Sequence, residues 1–588
     1  MFQLIKKWWP EAMLIVLPGL LMLPLMLTHQ IHYKVDLWFQ MMRIQEMNGY
    51  FQNFTWPGLG NIYSFGQSGQ LIQGMYPSFT LGILVLVTGF LGAMNQVYAI
   101  ILLMIILMSM SYYWFFNKML KNEVISFFSA IIVTYPMAFI CAIERGQFGL
   151  VLASVFLPLV FWGFYKMQDT DDKTAYWWIG LGVGLIWLTH VSSGIFVVVL
   201  VMIMGTVDLV LGRKNFLKYV YSGIIAGVIA LPTLLKLVTL KSSMLGVVEY
   251  GLDAKITLLN IFSPLWTGGR DFMTVLPMVG LIYVIATVYK NTKFKGLKAT
   301  AIIMALMCST AGYLVFFRPL QFPDRFLAYA LPLAMFVMLL ELPTMMKKWS
   351  KENQRILYLV LVFMAIVPAA NSALRVRDFV TKHPTWQSEQ NFLRTRTTAD
   401  KDSLLDQKFR FARTYTDYTP IQQQKTAEKG AEAYIGSKQM RDVNEAQSVR
   451  LTGFDSSEIK MKIPNAPKHL DNEIAAKNYV IPYQPATNMH AEKRTLTMDV
   501  NVSKKGLYDL PFWMYPHIKY TVLVDGQAVT PHASNQGRMS VPLKTGKQTV
   551  SITQNLPISI IAAYMISWGM LIVGVYFLAR PKNRKQGA

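Results

Sequence analysis

Apolar runs long enough to cross a lipid bilayer recur from the N-terminus to about residue 374 of this 588-residue chain, and once more near its end. An α-helix rises about 1.5 Å per residue, so roughly 17–25 apolar residues match a hydrocarbon core about 30 Å thick. About twelve crossings are expected, near 9–28, 98–116, 124–143, 149–165, 176–189, 195–211, 219–239, 273–289, 299–317, 325–342, 356–374 and 557–579. The first follows Lys6 and Lys7, lacks a small-residue cleavage site and leads straight into further apolar runs, so it is expected to remain as an anchor. Only 15% of the residues are charged, against about 25% in a soluble domain, which excludes an ordinary soluble enzyme.

The chain nevertheless carries 56 Lys and Arg against 33 Asp and Glu. Such an excess in a soluble protein would suggest nucleic acid; here the placement of the charges decides otherwise. A further apolar segment, 77–95, disturbs the parity of the crossings. If it does not cross, all the basic loops fall on one side, with 21 basic residues against 8 acidic ones. That is the positive-inside bias, and it predicts cytoplasmic termini. Segment 77–95 is then expected to be a re-entrant or juxtamembrane helix on the outer side, tolerated where protein buries it. The expected organisation is a membrane body over 1–375 with a first outer loop at 29–97, an extracytoplasmic domain over 376–555, a last crossing at 556–579 and a basic cytoplasmic tail at 580–588. The partner implied by the charge is the bilayer, with no nucleic acid.

Within 376–555 no run is long enough to span, and polar stretches such as QQQKTAEKGAEA read as helical or irregular. From about 490 the pattern alternates, and Asp525-Gly526 between two β-rich runs signals a hairpin. The expected fold class is therefore an α-helical polytopic membrane protein whose extracytoplasmic α+β domain ends in a β-sandwich-like unit.

Ionisable residues near a bilayer are costly and so are candidates for function. Asp36, Gln40 and Arg43 in the first outer loop fall at i, i+4 and i+7, on one helical face. That face reads equally as the wet stripe of an interfacial helix or as a carboxylate held at the surface as a general base. Glu144 and Arg145 lie in an Ala142-Ile-Glu-Arg-Gly turn and His190 in a Leu188-Thr-His-Val-Ser-Ser-Gly turn; each is also readable as a satisfied helix end. Arg270 and Asp271 stand in a loop mixing aromatics with a Gly-Gly turn. Arg318 and Arg325, with Asp324, bracket a Pro turn, and arginine forks suit a phosphate as well as they suit snorkelling to the interface. Cys141 and Cys308 both lie in apolar runs, so neither a disulfide framework nor a Cys-pair metal site is expected.

Taken in order, VDLWFQMMRIQEM with Asp36, the Tyr76-Pro77 step, the ERG turn followed by LASVFLPLVF, LTHVSSG, LQFPDRFL, TDYTP at 416–420 and LPFWMYPHIKYTVLVDGQ are spread over nearly the whole chain. The arrangement resembles the GT-C superfamily of multi-pass glycosyltransferases, and more closely the bacterial YfhO-type membrane proteins, some of which carry the label 6-pyruvoyl-tetrahydropterin-synthase-related. Two departures stand out. The family's further acidic residue after the ERG turn is replaced here by the stretch 149–154, and Asp324 stands where an aromatic residue is usual before Arg325.

The resemblance implies an inverting transferase that takes sugar from a polyprenyl-phosphate donor to a cell-surface glycopolymer. It implies Asp36 as the base, Arg318 and Arg325 on the phosphate, and Glu144, Arg145 and His190 lining the sugar pocket, with Arg43, Arg270, Asp271 and Asp324 nearby as binding residues. A divalent cation shared by Asp36 and Glu144 stays open, and no other cofactor is expected. A lipid-linked-glycan flippase and a non-catalytic polymer-assembly protein are the rival readings; the first would favour mid-membrane charges and internal repeats, which the sequence does not display.

Overall fold

The computed structural model describes residues 2–28, 36–169, 172, 174–240, 272–290, 293–307, 326–381, 448–451, 484–533 and 538–579. The helical body opens with α1 (Phe2–Thr28), α2 (Leu37–Gln52), a one-turn α3 (Ile72–Met75), α4 (Phe79–Thr88), α5 (Ala93–Leu120) and α6 (Glu123–Phe139). It continues with α7 (Phe148–Ser154), α8 (Leu157–Asp169), α9 (Ala175–Thr189), α10 (Val191–Val210), α11 (Phe216–Leu240), α12 (Phe272–Thr287), α13 (Lys295–Leu306), α14 (Leu327–Met346) and α15 (Lys351–Thr381). A last helix, α16 (Ile558–Ala579), follows the strands.

Among the described residues, eight helical segments are long and apolar enough to cross a membrane: Trp8–Leu27, Asn95–Leu120, Phe148–Gln168, Val191–Val210, Phe216–Leu240, Leu327–Met346, Lys351–Leu374 and Ile558–Ala579. Others of the expected runs are shorter. The run at 124–143 ends in a π-helical turn over Ile140–Glu144, and α9 has 15 residues. The described part of 299–317 stops at 307. Segment 77–95 contains α4, whose ten residues reach about 15 Å, half the thickness of a hydrocarbon core.

The helices pack through apolar faces and small residues. Gly180 and Gly184 of α9 lie against Ile225 and Ile229 of α11, where an added Cβ would stand 2.8 and 2.6 Å from their side chains. An i, i+4 pair of glycines thus lets two helix backbones approach closely. Helix α16 packs on α11 and α9, and Ser567 Oγ donates 2.6 Å to the Ile229 carbonyl.

The strands are β1 (Ser448–Leu451), β2 (Gln484–Pro485), β3 (Thr487–Glu492), β4 (Thr495–Val502), β5 (Gly506–Trp513), β6 (Lys519–Val524), β7 (Gln527–Val529), β8 (His532–Ala533), β9 (Arg538–Leu543) and β10 (Gly546–Asn555). They form two antiparallel five-stranded sheets, in the orders β2-β1-β5-β9-β8 and β3-β4-β10-β6-β7. Strand structure therefore begins earlier than the alternation suggests, because β1 reaches the first sheet from residue 448. The expected hairpin is present. Asp525 (φ 48°) and Gly526 (φ 78°) form its two-residue turn, with Val524 paired to Gln527. Leu496, Met498, Val500 and Val502 alternate inward from β4 and meet Leu510, Phe512 and Val541 of the facing sheet. The expected irregular stretch and TDYTP at 416–420 lie outside the described residues.

Candidate functional site

The N-terminal end of α2 is fixed by the ERG turn. Asp36 is its N-cap, and its backbone N–H donates 3.0 Å to the Arg145 carbonyl. Gly146 follows with φ 66°, and a Cβ there would stand 2.1 Å from the Leu37 nitrogen. Both the left-handed backbone and the close approach therefore require glycine. Glu144 closes the π-helical turn just before, and π-turns are frequent at functional sites. Arg145 is exposed and Asp36 half-buried. Two segments more than a hundred residues apart in sequence are thus joined backbone to backbone.

Seven residues along α2 from Asp36, the face that reads equally as a wet stripe or as the seat of a general base turns inward. Arg43 is buried, and its guanidinium donates to Gln40 Oε1 (2.9 Å), the Pro77 carbonyl (2.7 Å) and Ser78 Oγ (3.0 Å). Its Cζ lies 4.2 Å from the centroid of the Tyr76 ring. A charge taken out of water needs such partners, and here two neutral oxygens and an aromatic face at the start of α4 supply them. Arg43 thereby clamps α2 to the Tyr76-Pro77 step.

Tyr76 also meets the third element. Its ring centroid is 5.7 Å from that of His190, which stands between α9 and α10 with Nδ1 2.7 Å from Ser193 Oγ. A Cβ on Gly149, in the first turn of α7, would lie 2.6 Å from His190 Cδ2 and 3.0 Å from the Tyr76 hydroxyl. Gly149, at the start of the stretch 149–154, is thus the floor on which His190 and Tyr76 rest. Thr80 Oγ1 and Thr189 Oγ1, 2.6 Å apart, tie α4 to the end of α9.

Four of the residues singled out from sequence, Asp36, Arg43, Arg145 and His190, therefore belong to one end of the helical body, linked through Tyr76 and the ERG backbone. Arg270, Asp271, Arg318, Asp324 and Arg325 lie outside the described residues. Tyr76 itself was legible only as a Tyr-Pro step ahead of an apolar run. Among the described residues no group of three or more His, Cys, Asp and Glu side chains could hold a metal ion.

The chain matches no protein-family model and no curated protein.

Beyond Arg43, hydrogen bonds tie α2 to the strands through the loop that follows it. Glu46, one turn beyond Arg43, is buried and accepts from the Ile62 N–H (2.8 Å), the Tyr63 N–H (3.0 Å) and Ser64 Oγ (2.7 Å). Burial outweighs these bonds and pushes its carboxyl up to about 7. The loop held this way enters the β-sandwich: Tyr50 and Ile62 complete its core. Gln554 of β10 accepts the Gly60 N–H (2.8 Å), and the Trp513 N–H donates to the Ser68 carbonyl (2.8 Å). On the other side, Phe79 at the start of α4 packs its ring 5.1 Å from Trp568. Trp568 is ten residues into the 22-residue α16, roughly 15 Å along it. Phe79, three residues after Tyr76, thus meets the middle of an apolar helix.

Proposed function

We propose that this protein is an integral membrane glycosyltransferase of inverting GT-C type, moving a sugar from a polyprenyl-phosphate donor onto a cell-surface glycopolymer at the outer face of the membrane. The reading is supported by the Asp36 N-cap joined backbone to backbone to the ERG turn, with Arg43 of the same helix and His190 both meeting the Tyr76 ring.

In this reading the Asp36 carboxylate takes the proton of the acceptor hydroxyl as the acceptor oxygen bonds to the anomeric carbon. The bond from that carbon to the phosphate oxygen breaks, and the phosphate leaves as an anion. Such a leaving group needs positive charge more than a proton, which is the part given to Arg318 and Arg325. His190 and Arg145 border the sugar. Arg43, occupied with Pro77 and Ser78, positions α4 instead of meeting substrate.

The test is Asp36→Asn in reconstituted membranes supplied with polyprenyl-phosphate sugar. General bases contribute about 10²–10⁴-fold, so a fall of that size in sugar transfer is expected with the protein inserted normally. Unchanged transfer would remove Asp36 from the role. Arg325→Ala should weaken binding of a polyprenyl-phosphate analogue, and equal affinity would remove the arginine.

A further inference from the structure

The turn that follows α2 carries an anomaly that the site leaves unexplained. Phe54 is 99% exposed and holds a left-handed backbone, φ 49°. That conformation costs a bulky residue of order 1–3 kcal/mol, and the turn is held in it. The Phe54 N–H donates to the Phe51 carbonyl, the Thr55 N–H to the Tyr50 carbonyl and Asn53 Nδ2 to the Gly49 carbonyl, at 3.0, 3.0 and 2.8 Å. The turn thus holds a strained aromatic side chain projected fully into the surroundings.

The neighbouring residues indicate what those surroundings are. Trp56, half exposed, packs its ring edge-on to Tyr564, with centroids 5.3 Å apart. Tyr564 is six residues into α16, about 9 Å from its start, and accepts a hydrogen bond from Lys236 Nζ at 3.0 Å. Met565, next along α16, is 71% exposed. Trp, Tyr and a snorkelling Lys together form the residue set of a membrane–water boundary. The apolar surface of α16 is thus continuous with Trp56, two residues along the turn from Phe54.

We propose that the 53–57 turn is a lipid anchor: Phe54 and Trp56 insert into the outer leaflet at the boundary of headgroups and acyl chains. They fix the loop, and with it the β-sandwich, at one height above the bilayer. This rests on α16 being a membrane span and not on the chemistry assigned to Asp36.

The experiment is a depth measurement by spin label on the full chain, with Cys141 and Cys308 replaced by Ala, in nanodiscs of phosphatidylcholine and phosphatidylglycerol. Labels are placed singly by Phe54→Cys, by Met565→Cys on α16 and by Gln527→Cys at the exposed β6–β7 turn. The expected result is a ratio of oxygen to nickel-chelate collision several-fold higher at 54 than at 527 and similar to that at 565. A label at 54 that behaves as at 527, while 565 stays lipid-like, overturns the anchor alone. Water-like behaviour at 565 overturns the span and the anchor together. Because the Phe54 side chain is fully exposed, its replacement leaves the packing of the turn intact.

Discussion

The two ends of the helical body handle charge in different ways. At one end, carboxylates and cations neutralise each other inside the packing. Asp208 of α10 meets Arg213 at 2.9 Å and also accepts from Asn215 and Tyr219. Fully buried Lys298 of α13 meets Glu341 of α14 at 2.8 Å, with Tyr283 of α12 donating to the same carboxylate oxygen. Lys166 pairs with Asp172 at 2.9 Å. At the other end, Arg43 is held by a carbonyl, a hydroxyl, an amide and an aromatic ring, and Asp36 is placed by its backbone. The first end spends its charges on joining helices. At the second end the described contacts of the Arg43 guanidinium are to neutral groups on α2 and at the start of α4.

From that contrast, the largest loss of stability belongs to the first end. Lys298→Met leaves Glu341 partly buried without its cation, and breaking a buried pair by removing one partner costs about 3–5 kcal/mol. Thermal unfolding in detergent should show a large fall in the melting temperature. Lys298→Met with Glu341→Leu should recover much of it, because an apolar pair of similar volume avoids desolvating either charge. A double variant as unstable as the single one would mean that the pair does more than offset its own burial.

Gly149→Ala probes the second end with a smaller effect on folding. The added methyl meets the His190 ring and the Tyr76 hydroxyl, and overpacking of this kind costs about 1–3 kcal/mol. Both neighbours must shift, so sugar transfer should fall more steeply than the melting temperature. Gly223→Ala on α11, where a Cβ meets nothing within 4 Å, should leave both unchanged. Equal losses of activity and stability in Gly149→Ala would assign the His190–Tyr76 contact to packing alone.

How far the sequence could foretell these ends depends on the range of the interactions. Hydropathy is a local signal, and it located α1, α5, α11 and α16 closely. The helix face shared by Asp36, Gln40 and Arg43 was visible from spacing, but its environment was not: nothing local says that Pro77 and Tyr76 return to cover Arg43. The Asp525-Gly526 turn was legible because two residues determine it. By contrast, β1 joins its sheet from residue 448, more than fifty residues before its partner β5, and no periodicity over four residues announces that. Glu46 escaped notice for the same reason, since its partners at 62–64 form a loop without any pattern.

Glu46 also offers the finest test of the contrast, because it is a carboxylate at the second end that no described cation neutralises. Its carboxyl titrates at about 7 in the fold, against 4.5 for an ordinary glutamate. A raised value means that the folded state holds the proton more tightly than the unfolded state does. The contribution to stability is therefore fully present below about 4.5, declines as the pH rises from there through about 7, and is level above it. Hydrogen exchange at the Ile62 and Tyr63 amides should accordingly speed up between pH 5 and pH 8, beyond the intrinsic base catalysis seen in a peptide of the same sequence. Glu46→Gln should abolish that excess while costing about 1–3 kcal/mol, since its amide presents N–H groups to donors that need an acceptor. An excess that survives in Glu46→Gln would place the titrating group elsewhere; its loss would establish this buried carboxylate as the joint between α2 and the β-sandwich.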